Sequence, residues 1–168
     1  NQPYNPPLTP RTLRNGMGLF DDADLVAGTK QRAMVTLLKQ LPDDEIVYAG
    51  PAQGYAQVAL AHAASLTGKT PVLFLSTYDK DFRLTRKARG LCSRIKVRKL
   101  KMPLHRLEEE ALRYCRRRPK AFLVPFGMRF PAFIDLMATA LQWAIPKQVR
   151  EHDVRRTWLV VGSATVLT

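Results

Sequence analysis

Glu45-Ile46-Val47-Tyr48-Ala49-Gly50-Pro51-Ala52-Gln53-Gly54-Tyr55-Ala56-Gln57-Val58-Ala59-Leu60-Ala61 is the stretch on which the reading of this chain turns. Glu45 to Ala49 is an apolar run of strand length, Gly50 to Gly54 reads as a loop, and Tyr55 to Thr67 is an alanine-rich helix ended by Gly68. The order is strand, glycine loop, helix.

The same alternation continues in both directions. Upstream, Met34, Leu37, Leu38 and Leu41 form one stripe of a helix that starts near Thr29 and ends at Pro42. Downstream, Pro71 to Ser76 reads as a second strand, and Arg83 to Arg89 as a helix closed by Gly90. Ile95 and Val97, alternating with Lys96 and Arg98, mark a third strand with one wet face. Leu104, Leu107, Ala111, Leu112 and Cys115 mark an amphipathic helix, followed by a strand at Ala121 to Val124. Phe133, Leu136, Met137, Ala140 and Leu141 make a further helical stripe before Pro146, and Trp158 to Val161 is a last apolar strand running into Gly162. Alternation of this kind, with continuous apolar strands, predicts an α/β domain of three layers (αβα) around a mostly parallel sheet, over residues 20–168. Residues 1–19 precede it as an extended arm, since Pro3, Pro6, Pro7 and Pro10 deny helical donors and restrict their neighbours. There is no internal repeat.

With 168 residues and 46% hydrophobic content, the chain is long enough for one domain with a real core, which excludes collagenous, disordered and disulfide-scaffold classes. Lys and Arg number 27 against 14 Asp and Glu, a formal charge of +13 that points to a polyanion or an acidic assembly as partner. Cys92 and Cys115 are isolated, with no C-x-x-C pair and no histidine at metal spacing, so no metal site is expected. No run approaches the roughly 20 apolar residues of a membrane span, and Asn1 to Pro10 has no apolar signal core, which predicts a soluble, intracellular protein without a membrane partner. The sequence is expected to lack one or both ends. It has no initiator methionine and stops at Thr168 directly after an apolar, Gly-containing stretch.

Three places carry potential chemistry. In open parallel sheets ligands collect at the carboxyl ends of strands, where helix amino termini aim free N–H groups at anions. Gly50-Pro51-Ala52-Gln53-Gly54-Tyr55 has that setting, and so does Gly162-Ser163-Ala164-Thr165, where a small backbone and two hydroxyls suit a phosphate. Neither is a Walker motif or a G-x-G-x-x-G fingerprint, and read singly each is more simply a tight structural turn. The third is Gly28-Thr29-Lys30 at a helix start, with Thr29 as the expected cap. Lys30 would sit where the helix dipole opposes its charge, and a lysine with a lowered pKa suits Schiff-base chemistry because only the neutral amine attacks an aldehyde. His62, in the alanine-rich helix, reads as packed or half-buried, and His105 and His152 as solvated.

Taken together, Gly28-Thr29-Lys30-Gln31-Arg32-Ala33, the stretch from Tyr48 to Ala61, and Val160-Val161-Gly162-Ser163-Ala164-Thr165 resemble the pyridoxal-phosphate enzymes of fold type II. This is the tryptophan-synthase-β-like group, and the nearer branch includes 1-aminocyclopropane-1-carboxylate deaminase. The resemblance covers residues 20–168 and implies a lyase- or deaminase-like enzyme with pyridoxal 5'-phosphate as cofactor. It places the Schiff-base lysine, which would also shuttle protons, on Lys30. The loop beside the cofactor ring falls on Pro51 to Tyr55, with Gln53, Gly54 and Tyr55 as contacts, and the phosphate loop on Gly162, Ser163, Ala164 and Thr165. Gln53 stands where the family usually offers an asparagine, and Ala164 where a glycine is commoner.

Between Lys80 and Lys120 there are 16 Lys and Arg against 4 Asp and Glu, a net of +12. Arg86, Lys87, Arg89, Arg94, Lys96, Arg98, Lys99, Lys101, Arg116, Arg117 and Arg118 are expected to form one surface suited to a phosphate backbone, DNA or RNA. A solvated face is the plainer account of such charge. Two readings follow. One is a fold type II enzyme, as a homodimer or as part of an assembly, acting on an amino-acid-like group of a modified DNA base, as in phage DNA hypermodification. The other is a non-catalytic relative serving as a basic structural or RNA-binding subunit of a large assembly such as a ribosome or virion.

Overall fold

The apolar runs at 45–51 and 70–76 are each buried over their five middle residues, a pattern that requires strands covered on both faces. The structure, a computed structural model, describes residues 4–12, 14, 18–22, 24–78 and 82–145. In chain order the elements are β1 (Thr9–Thr12), β2 (Gly18–Asp21), α1 (Gln31–Gln40), β3 (Glu45–Pro51), α2 (Ala56–Thr67), β4 (Thr70–Ser76), α3 (Arg83–Leu91), β5 (Lys96–Leu100), α4 (Leu104–Arg116), β6 (Ala121–Val124), a 3-10 turn at Phe126–Met128, and α5 (Pro131–Ala144). The expected last strand at Trp158 to Val161 lies outside the described residues.

The main sheet has the order β5-β4-β3-β6 and is parallel throughout. Side chains alternate across it. Val47 and Ala49 of β3, with Val72 and Phe74 of β4, pack on Leu107, Ala111 and Tyr114 of α4. Ile46, Tyr48, Leu73 and Leu75 point the other way, into a larger core with α1, α2 and α5. The result is the expected α/β architecture, with a mostly parallel sheet between helical layers.

Two local expectations change. Gly90 does not close its helix: α3 runs on to Leu91, and Gly90 is absent from the residues with positive φ. The next turn is held by burial of Cys92, whose N–H donates to the Ala88 carbonyl, so packing overrides the glycine signal. Gly68, by contrast, adopts φ 74° and ends α2. Within the proline-rich arm, β1 pairs antiparallel with β2, Pro10 standing opposite Phe20. A two-stranded pair tolerates proline because every strand in it is an edge.

The arm is tied down by α1. Arg32 is 1% exposed and directs Nε to both carboxylate oxygens of Asp22 at 3.1 Å, while its Nη1 donates to Asn5 Oδ1 and the Pro6 carbonyl. Gln31, equally buried, donates to the Tyr4 carbonyl at 3.1 Å and accepts from the Ala27 N–H at 3.0 Å. Tyr4 and Leu8 are buried as a consequence, and Leu8 N–H reaches the Ala144 carbonyl at the end of α5. Replacing Arg32 by Met keeps the volume but strands the Asp22 carboxylate and two further acceptors. We expect a loss of about 3–5 kcal/mol, read as a lower urea midpoint, with faster proteolysis between residues 4 and 14.

Candidate functional site

Strand β3 lies between β4 and β6, so the chain leaves it toward one side of the sheet and later returns on the other. The carboxyl end of β3 is therefore the topological switch point, where open α/β sheets hold their ligands. The segment emerging there is Ala52 to Tyr55. Two close approaches shape it. A Cβ at Gly50 would stand 2.6 Å from the buried Tyr48 ring, so only glycine lets the chain pass that ring. Gly54 N–H then closes a turn onto the Pro51 carbonyl at 3.0 Å.

Gln57 fixes this turn from beneath. It is fully buried in the first turn of α2, donates to the Ala52 carbonyl at 2.6 Å and the Gly54 carbonyl at 3.1 Å, and accepts from Thr85 Oγ1 at 2.8 Å. Sequence reasoning gave Gln57 no role. Its signal was present as a lone amide on an otherwise alanine-rich, apolar helix.

The Gly28-Thr29-Lys30 turn meets this loop. Gly28 has φ +69°, and a Cβ there would lie 3.2 Å from Cε1 of Tyr55, so the glycine turn and the tyrosine ring are in contact. Ala27 packs with Val58 and Ala59 in the same seam. Lys30 occupies the cap position of α1 and is half-buried, while no side chain caps the helix, so the expected capping by Thr29 is not made. Burial lowers the Lys30 pKa from its ordinary value, because removal from water disfavours the ammonium form. Tyr55 is partly exposed and held by Lys87, whose Nζ donates to the phenol oxygen at 2.6 Å and lies 5.1 Å from the ring centroid. Gln53 is exposed at the loop tip. The structure thus draws together Lys30's turn, Gly54 and Tyr55, with Gln53 on the same loop. Gly162, Ser163, Ala164 and Thr165 lie outside the described residues. His62 is half-buried with its pKa lowered by burial, and His105 is exposed.

No family profile and no curated protein matches the sequence. Solved structures do. A threonine deaminase from T.th. matches with a TM-score of 0.62 at 18% identity, over 83% of this chain and 46% of that one. Escherichia coli diaminopropionate ammonia lyase in its apo form matches with a TM-score of 0.55 at 11% identity, over 77% of this chain and 41% of that one. The chain spans less than half the length of either. The fold is of the fold type II kind.

The basic residues of β5 divide between the two faces of the sheet. Along β5 the side chains alternate: Lys96 and Arg98 face the α4 layer, while Lys99 lies over Phe82 on the opposite side at 3.8 Å. Lys87 belongs to the Tyr55 edge, and Arg94 donates to the Gly68 carbonyl behind α2. Arg86, Arg89, Lys101, Arg116 and Arg117 are exposed. Glu45 collects charge on the α4 face, accepting from Lys96 Nζ at 2.6 Å and the Tyr114 hydroxyl at 2.8 Å, with Arg118 Nε at 3.5 Å. Burial alone would push its pKa up. The hydrogen bonds from Lys96 and Tyr114, with the charges of Lys96 and Arg118, outweigh that and hold it below the ordinary value.

Two measurements follow. Amine-reactive labelling of Lys30 across pH, read by peptide mass spectrometry, should reach half-maximal rate at a lower pH than an N-acetyl-lysine amide standard. Coincident midpoints would remove the case for a tuned amine. Because the folded pKa of Glu45 lies below its unfolded value of about 4.3, its stabilisation is present above that pH and is lost as pH falls through the lower folded value. Glu45→Gln should therefore cost about 0.5–1 kcal/mol at neutral pH, discounted for the exposed partners Lys96 and Arg118, with the difference shrinking toward about pH 3.

Proposed function

We propose that the chain belongs to a pyridoxal-phosphate-dependent enzyme of fold type II in which Lys30 holds the cofactor. We also propose that its basic residues bring it to a nucleic acid carrying an amino-acid-like group on a modified base. The observation that supports the cofactor reading most directly is the contact between the Gly28–Lys30 turn and the Tyr55 ring at the switch point of the sheet. The donor set fits the group: an amine that burial favours in its neutral form, on a turn that touches the Tyr55 ring at the end of a tight loop.

When bound, pyridoxal phosphate supplies an aldehyde for a neutral amine and a conjugated ring that takes up the electron pair of a bond broken at an amino-bearing carbon. Lys30, half-buried at the start of α1, would hold the cofactor, and its amine would be the base that takes a proton from that carbon and returns it. Tyr55, bonded by Lys87, lies against the Gly28 turn that leads into Lys30. Gln57 ties the loop through the Ala52 and Gly54 carbonyls, so that Gln53 and Gly54 would meet a bound ring with less ordering cost. By resemblance, Gly162, Ser163, Ala164 and Thr165 would hold the phosphate. The nucleic-acid part rests on the +13 charge and its concentration between Lys80 and Lys120.

Purified protein incubated with pyridoxal phosphate, reduced with borohydride and digested should carry the pyridoxyl mass on the peptide containing Lys30. Lys30→Ala should carry none there while retaining its urea midpoint. Label spread evenly over surface lysines, or absent, would overturn the cofactor reading.

A further inference from the structure

On the face of the sheet opposite Lys30, a cavity of about 270 Å³ opens beside α4, walled by Phe74, Arg98, Glu110, Arg113, Tyr114, Arg117 and Arg118. Four guanidinium groups face one carboxylate, a net of +3 in a space the size of a small ligand. That carboxylate is already engaged, since Glu110 accepts from Arg113. Arg118 has Glu45 at 3.5 Å. Among the described residues, no carboxylate lies within ion-pair distance of Arg98 or Arg117.

Two of the arginines are also held over rings. Arg98 lies 4.9 Å from the Tyr114 ring centroid and 5.5 Å from that of Phe74, and Arg118 lies 3.9 Å from Tyr114. Tyr114 is itself fixed, by its hydroxyl on Glu45 and by edge contact with Phe74 at 5.6 Å. A guanidinium stacked by its flat face keeps its N–H edge available, and that edge matches the oxygens of a phosphate in pairs. Holding the fork in place before the ligand arrives reduces the ordering cost of binding.

We propose that this cavity is a binding site for a phosphate monoester, with the Arg98 and Arg117 forks as its principal contacts and the Phe74–Tyr114 rings as the platform that aims Arg98. A monoester, carrying about −1.5 to −2 charge at neutral pH, balances the wall better than a singly charged carboxylate. A 270 Å³ space takes a phosphate with a sugar-sized group and not an extended strand. The ester has two sources, a free nucleotide or the phosphorylated end of a nucleic acid. The inference stands independently of Lys30 and of the cofactor.

Equilibrium dialysis of the whole chain with labelled AMP at low salt should give saturable binding of one AMP per chain, displaced by inorganic phosphate but not by adenosine. Arg98→Lys with Arg117→Lys keeps the charge and removes the forks, and should weaken binding about tenfold or more. Arg86→Lys with Arg89→Lys, on α3, should change it less than about twofold. Arg117→Lys alone, at an exposed position outside the ring stack, reads the same effect without disturbing Tyr114. Displacement of AMP by 5'-phosphorylated oligothymidine but not by its unphosphorylated form assigns the site to a strand end. Displacement by neither assigns it to a free nucleotide. Absence of saturable AMP binding, equal loss in the two double variants, or equal displacement by both oligonucleotides would overturn the proposal.

Discussion

Parallel pairing of β3 along both of its edges is the constraint from which the rest of the arrangement follows. A strand bonded to β4 on one side and β6 on the other has no free backbone donors except at its ends, and both its faces must be covered. That demand accounts for the run of five buried residues in β3 and for the separate apolar clusters on its two sides. It also fixes where the chain becomes available to a ligand. Beyond Pro51 the ladder stops, and the turn that follows must satisfy its own carbonyls, which is the task of Gln57.

The lowered pKa of Lys30 can be traced to position rather than to a specific partner. Burial is its cause, and the burial arises because α1 must begin against the Tyr55 loop to place Met34, Leu37 and Leu38 in the core. Gln31 and Arg32, the two residues that follow, spend their side chains on the arm and on Asp22. The first turn of α1 is therefore clamped on the arm side by hydrogen bonds and on the loop side by the Gly28–Tyr55 contact. An amine set between two clamps is desolvated without forming part of the core.

Much of this was legible in the sequence because single-segment signals agreed with tertiary demands. The apolar run at Ala121 to Val124 gave β6 to the residue, and Gly68 gave the end of α2 because a left-handed residue is needed there. Gly90 misled because the same residue type carries no such demand inside α3, where burial of Cys92 decides the length. The β1–β2 pair lacks apolar alternation, and nothing in Pro10 or Gly18 announces it. The contacts of Arg32 and Gln57 were illegible for another reason. Their partners are mostly backbone carbonyls, or side chains on other segments, and a carbonyl has no identity in a sequence. At the site, two of the three quoted motifs, the Gly28 turn and the Tyr55 loop, are in contact, while the bond from Lys87 depended on α3 lying beside α2.

The division of the basic belt follows from strand geometry. Successive residues of a strand point to opposite faces, so on β5 Lys99 faces away from Lys96 and Arg98, whatever their closeness in sequence. Among the described residues β5 is an edge strand, where lysine and arginine oppose pairing with a foreign sheet. Solubility and edge protection explain charge that is spread and mobile. They do not explain guanidiniums held over rings at the wall of an open cavity, since an arginine held in that way has given up side-chain freedom that a merely protective charge would keep. Arg98 therefore differs in kind from Arg86 or Arg89, and the distinction separates a built site from a charged surface.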